Sequence, residues 1–252
     1  MKQLTTAIFG TCMILANAGA FAQMDYPVLA VETFSCDYVD GQGPADMQAP
    51  FDTFNDWADD NGITELTSLI LMPAFVSAES EFDVFGMDIW ETGVGMGSGV
   101  SQMMSDEDAL ADFDDVVACP GHALYALVGV KPPAEGQSID GGLFEFTDCT
   151  LRTTRSPEEG IAAVAAVGEM WSEWNVGDAH GVMFPAAGEA PDAEFDFKWV
   201  SFYASVKEYG EVFDHYAAGA VQSAAAIVDP VMDCNISRIY SIGLMREAPA
   251  GQ

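Results

Sequence analysis

Two stretches decide the fold: Phe82-Asp83-Val84-Phe85-Gly86-Met87-Asp88-Ile89-Trp90 and Phe195-Asp196-Phe197-Lys198-Trp199-Val200-Ser201-Phe202-Tyr203. Each opens on Phe-Asp, and they start 113 residues apart. A half-exposed strand alternates apolar and polar residues, and neither stretch does so. In the first, Phe82, Val84 and Trp90 point one way while Phe85, Met87 and Ile89 point the other. In the second, Phe195, Phe197, Trp199 and Tyr203 oppose Val200 and Phe202. Both faces of each strand are therefore expected to be buried. Helices can cover one face, and the natural cover for the other is the sheet that contains the second stretch. The expectation is an α+β chain closed, or nearly closed, into a barrel.

Working outward, the near-constant offset recurs. Cys36 matches Cys149, Trp57 matches Trp171, Pro73 matches Pro185, Asp114 matches Asp229 and Cys119 matches Cys234, all at 112 to 115 residues. A fixed period is the signature of internal duplication. The expected organisation is a leader at 1–22, one repeat at 23–131, a Pro/Gly-rich linker at 132–141 and a second repeat at 142–252. Strands are expected at Val31 to Tyr38, Leu66 to Val76, Phe82 to Trp90 and His122 to Val130. Their counterparts are Leu143 to Leu151, Gly181 to Ala187, Phe195 to Tyr203 and Arg238 to Met245. Ser156-Pro157-Glu158-Glu159 is a capping box with Pro at the first helical position. Pro50 cannot sit deep in a helix, so the matching helix should start near Ala49. Asp108, Leu110, Phe113 and Val117, with Ser105 as cap, mark the next helical region; Val206, Tyr209 and Phe213 mark its counterpart. The order is β-α-β-β-α-β in each copy, the ferredoxin-like order, and the two copies should pack sheet to sheet as a single-chain α/β barrel.

In that order the first and fourth strands are neighbours. Four cysteines allow three pairings, and this topology favours Cys36–Cys119 and Cys149–Cys234. Lys2, the apolar run Leu4 to Ala18 and the small-x-small Ala20-Phe21-Ala22 read as a secretory leader cleaved near Ala22. Disulfides suit the same oxidising compartment, so a periplasmic or secreted protein is expected. No later segment has the ~20 apolar residues that a spanning helix needs. With 40 acidic and eight basic residues the formal net charge is −32. Nucleic acid, which requires a basic footprint, is an unsuitable partner. The acidity reads as solubility, in a saline habitat or otherwise, or as cation binding. No basic residue lies between Gln23 and Lys131, so any anionic ligand would have to be met by the second half.

The chain resembles the dimeric α/β-barrel superfamily in a tandem form with both halves on one chain, over most of 31–246. More closely it is similar to a family of exported proteins of marine Gram-negative bacteria. The matching pieces are Cys-x-Tyr-x-Asp-Gly at 36–41, Phe-Asp followed by Trp90 at 82–90, Asp-x-Val-x-x-Cys at 114–119 and Phe-Asp-Phe-Lys-Trp at 195–199. That family carries no assigned reaction. The superfamily includes cofactor-independent monooxygenases, small isomerases and haem enzymes, so the resemblance implies a fold and not a chemistry.

Candidate residues are few. Lys198, on a doubly covered strand, needs a partner; Asp196 on the same face is the expected one. Lys198, His180 and Asp196 are the candidate catalytic groups. Asp83, Met87, Trp90, Phe202 and Tyr203 are the candidate ligand-lining groups, with Asp83 and Asp196 at equivalent positions. His122 reads as a surface or capping histidine. His215, on a helix of the second half, resembles in kind the axial ligand of tandem α/β-barrel haem enzymes; no other cofactor and no metal site is expected. Gly93-Val94-Gly95-Met96-Gly97-Ser98-Gly99 fits neither G-x-G-x-x-G nor a P-loop and reads as a turn or a site of close helix packing. The leading expectation is an exported protein that binds a small, largely apolar molecule between the repeats, as a monomer if the barrel closes within one chain. The alternatives are a cofactor-independent oxygenase or isomerase, a structural or interaction protein, and a haem protein.

Overall fold

The computed structural model describes residues 26–77, 82–106, 109–133, 137–174, 179–190 and 193–248. Residues 1–22, expected to be a leader, Asp108, and residues 134–136 of the expected linker lie outside the described residues. The strands are β1 (Val28–Tyr38), β2 (Leu66–Phe75), β3 (Val84–Trp90), β4 (Val117–Lys131), β5 (Leu143–Leu151), β6 (Ala179–Ala187), β7 (Phe197–Tyr203), β8 (Met232–Cys234) and β9 (Arg238–Arg246). The helices are α1 (Gln48–Asp60), α2 (Gly93–Ser105), α3 (Pro157–Glu173), α4 (Val206–Ala217) and α5 (Ala220–Val228).

Eight strands form a closed antiparallel barrel. The first half runs β4-β1-β3-β2 and the second β9-β5-β7-β6. Two seams join them: β2 pairs with β9, and β4 pairs with β6. The three-residue β8 flanks β5. The alternation of the two opening stretches follows from this closure. Met87, Phe85, Val200 and Phe202 point into the barrel, where they meet Val31, Leu69, Tyr125, Phe146 and Tyr240. Val84 and Trp90 point outward beneath α1 and α2; Phe197 lies beneath α3. Phe82 differs from expectation: it precedes β3, and its ring stacks inward on Tyr240. Each fully buried Leu, Val or Phe contributes about 1.5–3 kcal/mol.

Local chemistry fixes the helices. The Ser156–Glu159 capping box and Pro157 begin α3 as expected. A short 3-10 turn, Pro44–Met47, precedes α1, which keeps Pro50 in its first turn. The second helix of the first half is the main correction. It is built from the glycine run itself, and Ser105 ends it rather than caps it. Thr92 caps it by accepting from the Gly95 N–H. Residues 111–113 form only a 3-10 turn, and Val117 already belongs to β4. The reason is steric: a Cβ on Gly99 would lie 2.3 Å from Cη2 of Trp90. The glycines lower helix propensity, but they let α2 lie directly on the indole.

Cys36–Cys119 and Cys149–Cys234 are the bonded pairs, with Cα–Cα distances of 4.0 and 4.1 Å. Cys119 lies within β4 rather than just before it. Each bond closes a loop of more than 80 residues. The Cys149→Ser/Cys234→Ser double variant is expected to lose roughly 4 kcal/mol of unfolding free energy, measured by urea denaturation. Gly99→Ala is expected to lose about 1–3 kcal/mol through overpacking against Trp90, with a red-shifted tryptophan emission as the indole is displaced.

Candidate functional site

The barrel interior is filled at mid-height and opens at the end where β1 finishes and β3, β4, β7 and β9 begin. There it holds a cavity of about 250 Å³. The first half supplies Thr33, Ser35, Phe85, His122 and Tyr125; the second supplies Phe146, Glu189, Lys198, Arg238 and Tyr240. Phe85, Phe146 and Tyr240 make edge and offset ring contacts at 5.7 to 6.3 Å, within the range aromatic pairs favour.

Lys198 is held at the rim of this cavity by a partner the sequence reading did not name. The β5–β7 register puts Asp148 directly opposite it. Lys198 Nζ donates to Asp148 Oδ1 at 2.9 Å, and Arg238 Nη2 donates to Oδ2 at 2.6 Å. The Lys198 side chain is 12% exposed, and its ammonium lies 3.9 Å from the centre of the Phe195 ring. Burial alone would raise the Asp148 carboxyl; Lys198 and Arg238 together bring it below its ordinary range. Asp196 is engaged elsewhere, accepting from the Leu151 N–H at 2.6 Å. Asp83 does the same for the Tyr38 N–H at 3.2 Å. These two equivalent aspartates therefore hold the ends of β5 and β1. The Tyr125 hydroxyl donates to Glu189 across the cavity wall; burial first and Glu189 second push this phenol far up.

Lys198 lines the cavity, whereas His180 is on the opposite face of the sheet beneath α3, where Gly168 packs against its ring. Met87 and Phe202 belong to the filled centre of the barrel. Trp90 and Tyr203 point outward.

Those two outward aromatics lead to a feature that the sequence reading missed. Each half carries a row of polar side chains across the outer face of its sheet. In the first half the row is His122, Glu32, Asp88 and Ser68, on β4, β1, β3 and β2. In the second it is Ser237, Glu145, Ser201 and His180, beside or on β9, β5, β7 and β6. Buried Glu32 accepts from Trp90 Nε1 at 2.9 Å and contacts His122 Nε2 at 3.1 Å. Glu145 accepts from the Tyr203 hydroxyl at 2.8 Å, and desolvation raises its carboxyl. His180 Nδ1 is 3.1 Å from Ser201 Oγ. The available signal was a glutamate inside an apolar strand at matching places, Val31-Glu32-Thr33 and Phe144-Glu145-Phe146.

Haem was tested against the residues present. His215 is in the last turn of α4, with its ring stacked on Trp174 at 5.0 Å and 9°. The cleft beside α5, about 250 Å³, is lined by Glu145 and Asp229 and by no lysine or arginine. His215 does not line that cleft, and the cleft offers no cation for two propionates, so its lining does not fit the group. Among the described residues, no cluster of three His, Cys, Asp or Glu side chains is arranged to hold a metal ion. No helix among them is long and apolar enough to cross a membrane.

No family model matches the chain, and no curated protein matches it in sequence. Solved structures do match in shape. A proposed monooxygenase from Fusobacterium nucleatum superposes with a TM-score of 0.55 at 12% identity, covering 88% of this chain and 93% of that one. A proposed monooxygenase from Lactobacillus acidophilus gives 0.54 at 6%, covering 88% and 95%. A mutant chlorite dismutase from Candidatus Nitrospira defluvii gives 0.51 at 7%, covering 88% and 94%. At these identities the likeness establishes the fold: a dimeric α/β barrel, here closed within one chain.

The first-half row carries a pH signature. Desolvation, with the Glu32 charge adding to it and nearby Ser68 opposing it, pushes the Asp88 carboxyl up to about 7. A carboxyl raised on folding stabilises the protein below its unfolded value and loses that contribution as pH rises through the folded one. Three pH units correspond to roughly 4 kcal/mol; partial exposure of the residue reduces this to roughly 2. Asp88→Asn is therefore expected to gain about 2 kcal/mol relative to wild type between pH 4 and pH 8, read as the change in their difference in urea-unfolding free energy.

Proposed function

We propose that this chain is an exported binding protein of two ferredoxin-like repeats, 23–131 and 142–252, that holds a small, largely apolar molecule in the barrel mouth between them. The observation that carries this reading is the cavity of about 250 Å³ walled by both halves. A cavity at the junction of two units, with aromatic surface and placed polar groups, is a usual form of small-molecule pocket, and polar and apolar groups share this lining about evenly. Phe85, Phe146 and Tyr240 supply flat apolar surface. Lys198 and Arg238 supply the polar end, and Asp148 keeps both cations in place. A ligand with an aromatic or aliphatic body and one anionic group suits that arrangement. Export is supported by the leader-like sequence at 1–22 and by the two disulfides.

An oxygenase acting without a cofactor is the second reading, and the names of two proteins of the same fold, both proposed monooxygenases, favour it. It is held second because Lys198, His180 and Asp196 do not share one cavity.

Benzoate and benzyl alcohol, titrated by calorimetry and by aromatic-proton NMR, test the binding reading. Both are expected to bind the purified full-length protein. Lys198→Met is expected to weaken benzoate about tenfold, because a charged hydrogen bond contributes about 1.5–3 kcal/mol, and benzyl alcohol less than about twofold. Absence of saturable binding by either probe would overturn the reading.

A further inference from the structure

We infer that the cleft beneath α2 is a proton-transfer site in which His122 acts as general base toward a small, mostly apolar carbon acid. This inference stands apart from the barrel-mouth reading: His122 borders both cavities, but the first reading rests on Lys198 and Arg238 and this one on His122 and Glu32. The cleft measures about 570 Å³ and lies between α2 and the His122 end of the first-half polar row. Met96, Val100, Met104 and Leu124 give it an apolar lining; Glu32 and His122 give it an ionisable pair.

The geometry of that pair is the argument. An ionised carboxylate only accepts hydrogen bonds, so the proton in the 3.1 Å contact with Glu32 Oε1 belongs to His122 Nε2. The imidazole lone pair is then on Nδ1. Glu32 cannot turn away, because its other oxygen is held by Trp90 Nε1. Phe34 stacks on the imidazole at 4.4 Å and 19°. The ring is thus fixed by a carboxylate and an aromatic face while 54% of its side chain remains exposed. A general base needs both properties: an orienting partner behind it and access in front.

The second half supplies an internal control. Its glutamate, Glu145, is held by an aromatic donor in the same way. Ser237 stands where the first half has His122, and Thr147, opposite it, is 2.7 Å away. The frame therefore closes without a histidine at this position, and the imidazole is not a requirement of the fold.

In the step itself, Nδ1 takes the proton of an acidic C–H bond, and the bonding electron pair passes into the substrate. The imidazolium, paired with Glu32, returns the proton to another atom of the same molecule. Nothing is oxidised or reduced, and no co-reactant is consumed.

The probe is 5-nitrobenzisoxazole. Removal of its C3 proton places the C–H electrons in a nitrile, breaks the N–O bond and releases a coloured phenolate; the proton leaves to water. The full-length protein is expected to give saturable elimination above the buffer rate. His122→Gln, which keeps a donor for Glu32, should lower kcat about 100-fold. His122→Ala should regain at least about a tenth of the rate with added imidazole. Glu32 is a positioning residue: Glu32→Gln should lower kcat about tenfold with KM within about twofold, and Glu32→Asp should fall between. Ser101→Trp, on the exposed lip of the cleft, should raise KM about tenfold with little change in kcat. Elimination no faster than in buffer overturns the proposal, as does a rate unaffected by His122→Gln or a KM unaffected by Ser101→Trp. Benzoate binding depends on Lys198 and elimination on His122, so either reading can fail without the other.

Discussion

Closure of the barrel is the constraint on which the rest depends. A four-stranded antiparallel sheet has two edges with unpaired backbone groups and one inner face too apolar for water. The β2–β9 and β4–β6 seams remove both problems at once. They pair four edges, and they turn the two inner faces into one shared core containing Met87, Tyr125, Val200 and Phe202. The helices are thereby confined to the outside. Polar residues on the outer faces, such as Glu32 and Glu145, then lie beneath helices rather than in water. A carboxylate there is costly unless it is hydrogen-bonded. Trp90 and Tyr203, at the ends of equivalent strands, provide the bonds. The two polar rows are thus a consequence of closing the sheet.

The same closure explains where the scarce cations go. The chain has eight basic residues against 40 acidic ones, yet several of the eight serve internal partners. Arg246 is 8% exposed, donating to Asp59 at 2.7 Å and to the Ile63 carbonyl at 2.6 Å. It ties β9 of the second half to α1 of the first. Lys198 and Arg238 share Asp148 at the barrel rim. Breaking such a pair leaves an uncompensated charge, which costs more than the pair itself contributes. Three of the six cations of the second half, Lys198, Arg238 and Arg246, lie on its strands and carry these internal ties. The acidic surface leaves long-range repulsion toward anions, so Lys198 and Arg238 matter only at contact distance.

What was legible in the sequence follows from the range of each interaction. The two opening stretches revealed their double burial because strand alternation is local. The Ser156–Glu159 box was legible because all its partners lie within one turn. The cysteine pairs followed once strand neighbours were inferred. The partner of Lys198 did not, because Asp148 is 50 residues away and is selected by register; Asp196 was close in sequence and was chosen for that reason. The glycine run reads as a turn or a site of close helix packing and not as the helix itself, because propensity argues against a helix there, while the cause of its helicity, the Trp90 face, belongs to another element. His122 and Glu32 are 90 residues apart. Neither stands in a motif, and only the β1–β4 pairing makes them one group.

The difference between the halves then takes a form that composition cannot express. Both rows contain one histidine, at opposite ends. His180, on β6, is 3% exposed, with Gly168 of α3 against its ring and Ser201 on Nδ1. His122, on β4, is open to solvent and faces two cavities, the barrel mouth and the cleft beneath α2. Counting cations and histidines favours the second half as the working one. Access reverses that: the imidazole of the second half is enclosed by a helix, and that of the first is set in a cleft with its carboxylate behind it. A titratable side chain acts on a molecule only if the molecule can reach it, and among the two rows that condition holds for His122.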